Sequence, residues 1–176
     1  MTRAKPARPA RARPRLKNDA ALRRRLGRLV TRRLAGKIAG LSAHVGEDYE
    51  RSDDAEAALY RECGAHFRWV AFAFAPWRMW DLHVGVVALD ARSLSIGFHV
   101  SERAGMVFLP TLRRLGAAIG AKAEHKPLAV EYQANLSPIA LAKTDVATLA
   151  DTIVDLCRRL APAARRIKPL PAMRAG

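Results

Sequence analysis

The chain has 176 residues, with 31 Lys and Arg against 16 Asp and Glu and a formal net charge of +15 at pH 7. Half of it is hydrophobic, enough for one domain plus tails and too much for wholesale disorder. No apolar run approaches the roughly 18 residues of a membrane span, and Cys63 and Cys157 are too few and too far apart for a disulfide framework or a zinc module.

The charge belongs to the ends. Residues 1–37 carry fourteen Lys and Arg against Asp19 alone, a net of +13, and residues 158–176 carry six and no acid. What lies between is net −4. Such a distribution concerns partners rather than fold.

In chain order, residues 1–17 form a first basic segment. Their prolines and cations bury too little surface to offset backbone entropy, so they are expected to be a disordered tail. Residues 18–40 follow as a basic amphipathic helix capped by Asn18 or Asp19, with a stripe of Leu22, Leu26, Leu29/Val30, Leu34 and Ile38. Three uses of that helix are open: docking on its own body, lying on an anionic membrane surface, or gripping phosphates. Arginines break every apolar stretch a secretory signal would need, so a cytoplasmic location is the default; an organellar transit peptide stays open.

A compact α+β domain is expected over residues 41–160. Asp53 and Glu56 suggest a capping-box start for a short helix carrying Leu59, Tyr60 and Cys63. Strands at about 67–75, 79–88 and 93–101 follow with connections short enough only for antiparallel neighbours. A helix over about 108–119, with Pro110 in its first turn, leads to a fourth strand in which Leu128, Val130 and Tyr132 alternate with Ala129, Glu131 and Gln133. The last helix starts at Thr144 with a stripe of Val146, Leu149, Ile153, Leu156 and Leu160; residues 161–176, with Pro162, Pro169 and Pro171, are a second basic tail. The fold class is thus α+β: a single antiparallel sheet of about four strands with helices packed on one face, plus disordered basic N- and C-terminal tails.

The strands alternate bulky and small. Val70, Phe72, Phe74, Trp80, Leu82, Val84, Val86, Leu94, Ile96, Phe98 and Val100 mark a core face. Ala71, Ala73, Asp81, His83, Gly85, Ser93, Ser95, Gly97 and His99 mark the other. Turns centred on residues 77 and 90 would set Asp81 between Ala73 and His99, and His83 between Ala71 and Gly97. Asp81, His83 and His99 are therefore the candidate catalytic or ligand-binding residues, as an acid–base pair or as ligands of a divalent metal, with Ser95 and Glu131 within reach. An ordinary solvated sheet face, or one covered by a helix, explains the same pattern. Trp77 and Arg78, in the connection between the first two strands, suit an exposed stacking tip or a tryptophan folded back on the sheet. No nucleotide-binding loop, Cys-x-x-Cys, His-Glu-x-x-His or nucleophile elbow is present, so no cofactor or metal motif is assigned, and Cys63 and Cys157 fit buried thiols.

By weight of charge, the leading expectation is a non-enzymatic protein that binds DNA, RNA or a ribonucleoprotein by its phosphates. The groups for it are Arg3, Lys5, Arg8, Arg11, Arg13, Arg15, Lys17, Arg23, Arg24, Arg25, Arg28, Arg32 and Arg33, with little sequence readout. The alternative is a small-ligand-binding protein or enzyme using the Asp81, His83 and His99 face.

Overall fold

A computed structural model describes residues 16–53, 55–62, 64 and 66–171. Arg3, Lys5, Arg8, Arg11, Arg13, Arg15, Cys63 and the side chain of Glu56 lie outside the described residues, as do positions 172–176.

Among the described residues, four α-helices and seven strands make one α+β body. Helix α1 (Ala20–Leu34) is capped by Asp19, whose side chain accepts from the Leu22 N–H at 2.9 Å. It ends about six residues early because Gly36 and Gly40 turn the chain at φ 70° and 69°, and a Cβ on Gly40 would lie 2.5 Å from that of Ala75. Strand β1 (Leu41–Val45) follows, then α2 (Ala55–Glu62), β2 (Trp69–Phe74), β3 (Leu82–Ala88) and β4 (Ser93–Ser101). Helix α3 (Glu102–Ala117) begins at a Ser101 cap, which puts Pro110 in its interior rather than its first turn. Strands β5 (Ala123–Lys126), β6 (Glu131–Asn135) and β7 (Ile139–Ala140) precede α4 (Val146–Arg166). Asp145, not Thr144, caps α4. That helix runs six residues past Leu160 because Ala161 and Ala164 are buried and Trp77 Nε1 donates to the Ala164 carbonyl at 2.7 Å.

The sheet corrects the expectation of about four strands: it has seven, ordered β1-β2-β3-β4-β6-β5, with β7 pairing β4 beyond the end of β6. Every pairing is antiparallel. Of the additional strands, β5 and β7 have no apolar alternation to announce them, and β1 has one of only five residues. β1 reads Leu-Ser-Ala-His-Val at an edge, β5 reads Ala-Glu-His-Lys at the other, and β7 is two residues held by its neighbour. The strand expected from Leu128 starts instead at Glu131. Leu128 sits in a 3-10 turn, 76 % exposed, and Val130 takes the left-handed conformation at φ 53°.

The bulky alternate residues of β2, β3 and β4 form the main core as expected, closed by Leu22, Leu26, Val30 and Leu34 of α1, Phe108 and Leu112 of α3, and Leu149, Ile153 and Leu160 of α4. The apolar stripe of α1 is thus docked on its own body and is not exposed to any other surface. Trp80 departs from the expected core set and packs on the opposite face, with Tyr49, Tyr60 and Trp69. Trp77 does the reverse: it is buried in the main core, edge-on to Phe108. Helix α2 lies on that opposite face through Ala57 and Tyr60, so helices occupy both sides of the sheet. Among the described residues no helix is long and apolar enough to cross a membrane.

Candidate ligand and metal site on the second sheet face

The register decides which side chains meet. His83 pairs with Ala73 on one side and with His99 on the other, while Gly85 pairs with Ala71 and Gly97. This is two residues away from the expected pairing. The β2–β3 connection centres on residue 78 rather than 77, because Asp81 and Leu82 both donate to the Arg78 carbonyl. The β3–β4 turn likewise begins at Asp90, whose carboxylate accepts from the Arg92 and Ser93 N–H groups. Moving a turn centre by one residue moves register by two, which keeps each side chain's face and changes its partner.

Asp81 consequently stands apart from the histidines. Its carboxylate takes Arg78 Nε at 2.8 Å and Ser101 Oγ at 3.3 Å, with Arg103 at 3.7 Å, and its carbonyl accepts from the Ser101 N–H. The acid that meets the imidazoles is Glu131. In β6 the residues Glu131, Gln133 and Asn135 face the same side as His99, and Gln133 is its direct partner. Glu131 and Asn135 reach it diagonally from either side, within the range of long side chains. Ser95, named as a further contributor, is buried on β4 opposite Val87, four residues along the strand from His99.

Two glycines clear the floor. A Cβ on Gly85 would fall 2.5 Å from Cε1 and Nδ1 of His99, and one on Gly97 would fall 2.2 Å from Oδ1 of Asn135. Glycine at both positions lets the imidazole and the amide lie flat on the sheet.

Donor and acceptor roles then follow around a chain of contacts. Glu131, ionised, only accepts; Gln133 Nε2 donates to its Oε2 at 3.0 Å. That orients Gln133 Oε1 to accept from Asn135 Nδ2 at 3.0 Å, and Asn135 Oδ1 is left facing His99 Nε2 at 3.0 Å. His99 Nε2 therefore carries a hydrogen, and its Nδ1 faces Glu131 Oε2 at 3.4 Å. On β3, His83 Nδ1 donates to the Met79 carbonyl at 2.7 Å, so Nε2 is its bare nitrogen, 4.0 Å from Glu131 Oε1. Tyr60 Oη adds a contact to Glu131 Oε1 at 3.4 Å from α2.

All three groups are buried: His83 is 7 %, His99 1 % and Glu131 2 % exposed. Burial pushes His83 down to about 4, against the pull of Glu131. Burial alone would raise Glu131, but the neighbouring imidazoles of His99 and His83 outweigh it and hold the carboxyl below its usual range. A base near 4 is weak at neutral pH, so His83 is suited to offering a lone pair rather than to removing protons.

Above this cluster is a cavity of about 250 Å³. Tyr60, Trp69, Met79, Trp80 and Val87 give it apolar walls, His83, His99 and Gln133 a polar base, and Leu128 and His66 part of its lining. Trp69 also carries a buried indole N–H with no hydrogen-bond partner. No protein-family model, curated protein or solved structure matches the chain.

The cationic candidates are divided by the fold. Arg23 is buried, bonded to Glu47 and to Asn18 Oδ1. Arg24 pairs with Asp48 and Arg33 with Asp151. Lys17, Arg25, Arg28 and Arg32 are exposed. Cys157 is buried, and burial raises its thiol.

The residues that sequence reasoning left out are Gln133 and Asn135 as orienting amides and Tyr60 and Trp69 as walls; the glycine floor was anticipated. A signal for the first pair was present. Glu131-Tyr-Gln-Ala-Asn135 alternates polar and apolar, and a strand placed there puts all three polar side chains on the histidine face.

Proposed function

We propose that the protein binds a small, flat, mostly apolar molecule carrying one oxygen-bearing polar group, in the cavity over His83, His99 and Glu131. The supporting observation is the contrast within that cavity: aromatic and aliphatic walls around the buried imidazoles of His83 and His99 and the Gln133 side chain, all three of which face Glu131. Sites for small molecules take this form, apolar lining with a few placed polar groups. Its volume is under the roughly 300–1,000 Å³ usual for larger ligands, so the molecule is small.

The test uses benzoate and indole as probes on the full chain, followed by NMR. Saturable binding that shifts the Gly85 and Gly97 amides, with contacts from the probe to Trp80 and Val87, supports the reading. Shifts confined to other regions, or none at about 1 mM, a very weak affinity, overturn it.

A second reading keeps the nucleic-acid expectation, on one observation. Arg25, Arg28 and Arg32 are exposed at three- and four-residue spacing along one side of α1, a row suited to phosphates.

A further inference from the structure

We propose that His83 Nε2, His99 Nδ1 and the Glu131 carboxylate are the ligands of a divalent transition-metal ion, with the remaining coordination positions open to the cavity. This deepens the ligand reading and rests on the same cavity: the ion would be what receives the oxygen of the bound molecule.

The inference comes from where the electron pairs point. The Met79 carbonyl fixes the hydrogen of His83 on Nδ1, and Asn135 fixes that of His99 on Nε2. Each imidazole is thereby left with a bare nitrogen turned toward the same carboxylate. Three lone-pair donors converging in a buried place require a cation among them. A proton on His99 satisfies one contact with Glu131; a metal ion satisfies all three groups together.

The outer contacts are those that metal-binding histidines use: the second ring N–H on a backbone carbonyl or an amide oxygen, and the carboxylate itself hydrogen-bonded, here by Gln133. Distances fit as well. One donor atom from each residue lies within 4.8 Å of the others. Metal–ligand bonds of about 2.0–2.2 Å place ligand atoms roughly 3–3.5 Å apart, so the 3.4 Å contact to Oε2 is already there, while the 4.0 Å contact, made to Oε1, and any edge near the 4.8 Å limit require the side chains to draw inward. Two imidazoles with one carboxylate favour zinc, iron, cobalt or nickel over calcium or magnesium, which take oxygen shells. Because His83 and His99 line the cavity, the open side of such an ion faces the space where the small molecule would sit.

The experiment is titration of the untagged full chain with Co²⁺ alone, read by its visible absorption and by calorimetry, and repeated with Zn²⁺. One ion per chain is expected. His83→Gln, His99→Gln and Glu131→Gln should each weaken binding by at least about 100-fold, more than the 10–100-fold typical of outer contacts. His125→Ala, on the exposed edge strand β5, should leave it unchanged. No saturable uptake, or uptake that survives Glu131→Gln and His83→Gln, overturns the assignment. Should those variants fail to fold, ¹⁵N spectra of the wild-type histidines decide: Zn²⁺ must shift His83 Nε2 and His99 Nδ1, and their silence overturns it. Co²⁺ uptake without benzoate or indole binding keeps the metal and removes the ligand reading; probe binding without Co²⁺ uptake removes the metal alone.

Discussion

Asn135 is the residue on which the tautomer of His99 depends. Its amide is the link between the Gln133–Glu131 contact and the imidazole, and Gly97 exists as glycine to admit it. Asn135→Ala leaves the His99 Nε2–H buried without its acceptor, a loss of about 1–3 kcal/mol in stability. It also frees the ring to put its hydrogen on Nδ1, and Co²⁺ affinity is expected to fall about 10–100-fold. Urea unfolding and calorimetry on the same variant check both effects. A different consequence attaches to His83. In the unfolded chain it titrates near 6.5, and in the fold near 4. Between those values the unfolded state binds more protons, so the stability of the metal-free protein rises with pH in that window and is lost as pH falls from 6.5 toward 4. The loss is about 3 kcal/mol at full extent. His44, lowered by burial, adds to it in the same direction, while Glu131, with its depressed carboxyl, acts in that direction only below its usual 4.5. His99, which faces His83 across the strand pair, remains in the variant, so denaturant midpoints at pH 7 and 4.5 for wild type and His83→Gln isolate the His83 share. Equal midpoints for wild type at the two pH values would contradict it.

At the level of strands, clearance matters as much as chemistry. Gly85→Ala would bring a methyl to 2.5 Å from the His99 ring, and either the ring or strand β3 must move. The expected cost is about 1–3 kcal/mol from overpacking, with loss of Co²⁺ binding from a displaced Nδ1. Thermal melts with and without Co²⁺ separate the two, since metal stabilisation should vanish even if the apo protein still folds. That glycine was visible in the sequence as part of the small-residue face, and the alternation across residues 69–101 gave both faces of β2, β3 and β4 without any structure. What alternation does not carry is register. It depends on how many residues each turn consumes, and the Arg78 and Asp90 turns each place the centre one residue later than symmetry suggests. Asp81 and Glu131 exchanged roles for that reason. The edge strand β5 was illegible for another: an edge exposed to solvent needs no apolar period, and its pairing is decided by its neighbour. β1 does alternate, with Leu41, Ala43 and Val45 on the core, but over five residues only. Trp80 leaves the face of Leu82 because Asp81 and Leu82 close a turn on the Arg78 carbonyl, which interrupts the strand alternation there, while Trp77 before that turn packs in the main core.

Across the whole molecule, the basic helix is not an appendage. Leu26, Val30 and Leu34 of α1 are fully buried in the main core, and Arg23 is buried beside Glu47. Burying a side chain of this size contributes about 1.5–3 kcal/mol, so a chain beginning at residue 41 loses most of a net stability of roughly 5–15 kcal/mol. It is expected to be unfolded or aggregated, whereas a chain beginning at Leu16 keeps α1 and should melt close to the full protein. The question of phosphate binding must therefore be put to folded protein. Replacing Arg25, Arg28 and Arg32 by Gln removes exposed charge from one side of α1 and leaves its buried stripe intact. If that row contacts duplex DNA, the dependence of log affinity on log salt should lose about three units of slope, near 0.9 for each phosphate contact. Removing residues 1–15 should lower the slope further if the N-terminal arginines contribute. Slopes unchanged in both variants mean that the charge on this chain serves something other than a phosphate backbone, and leave the cavity over His83, His99 and Glu131 as the site to pursue.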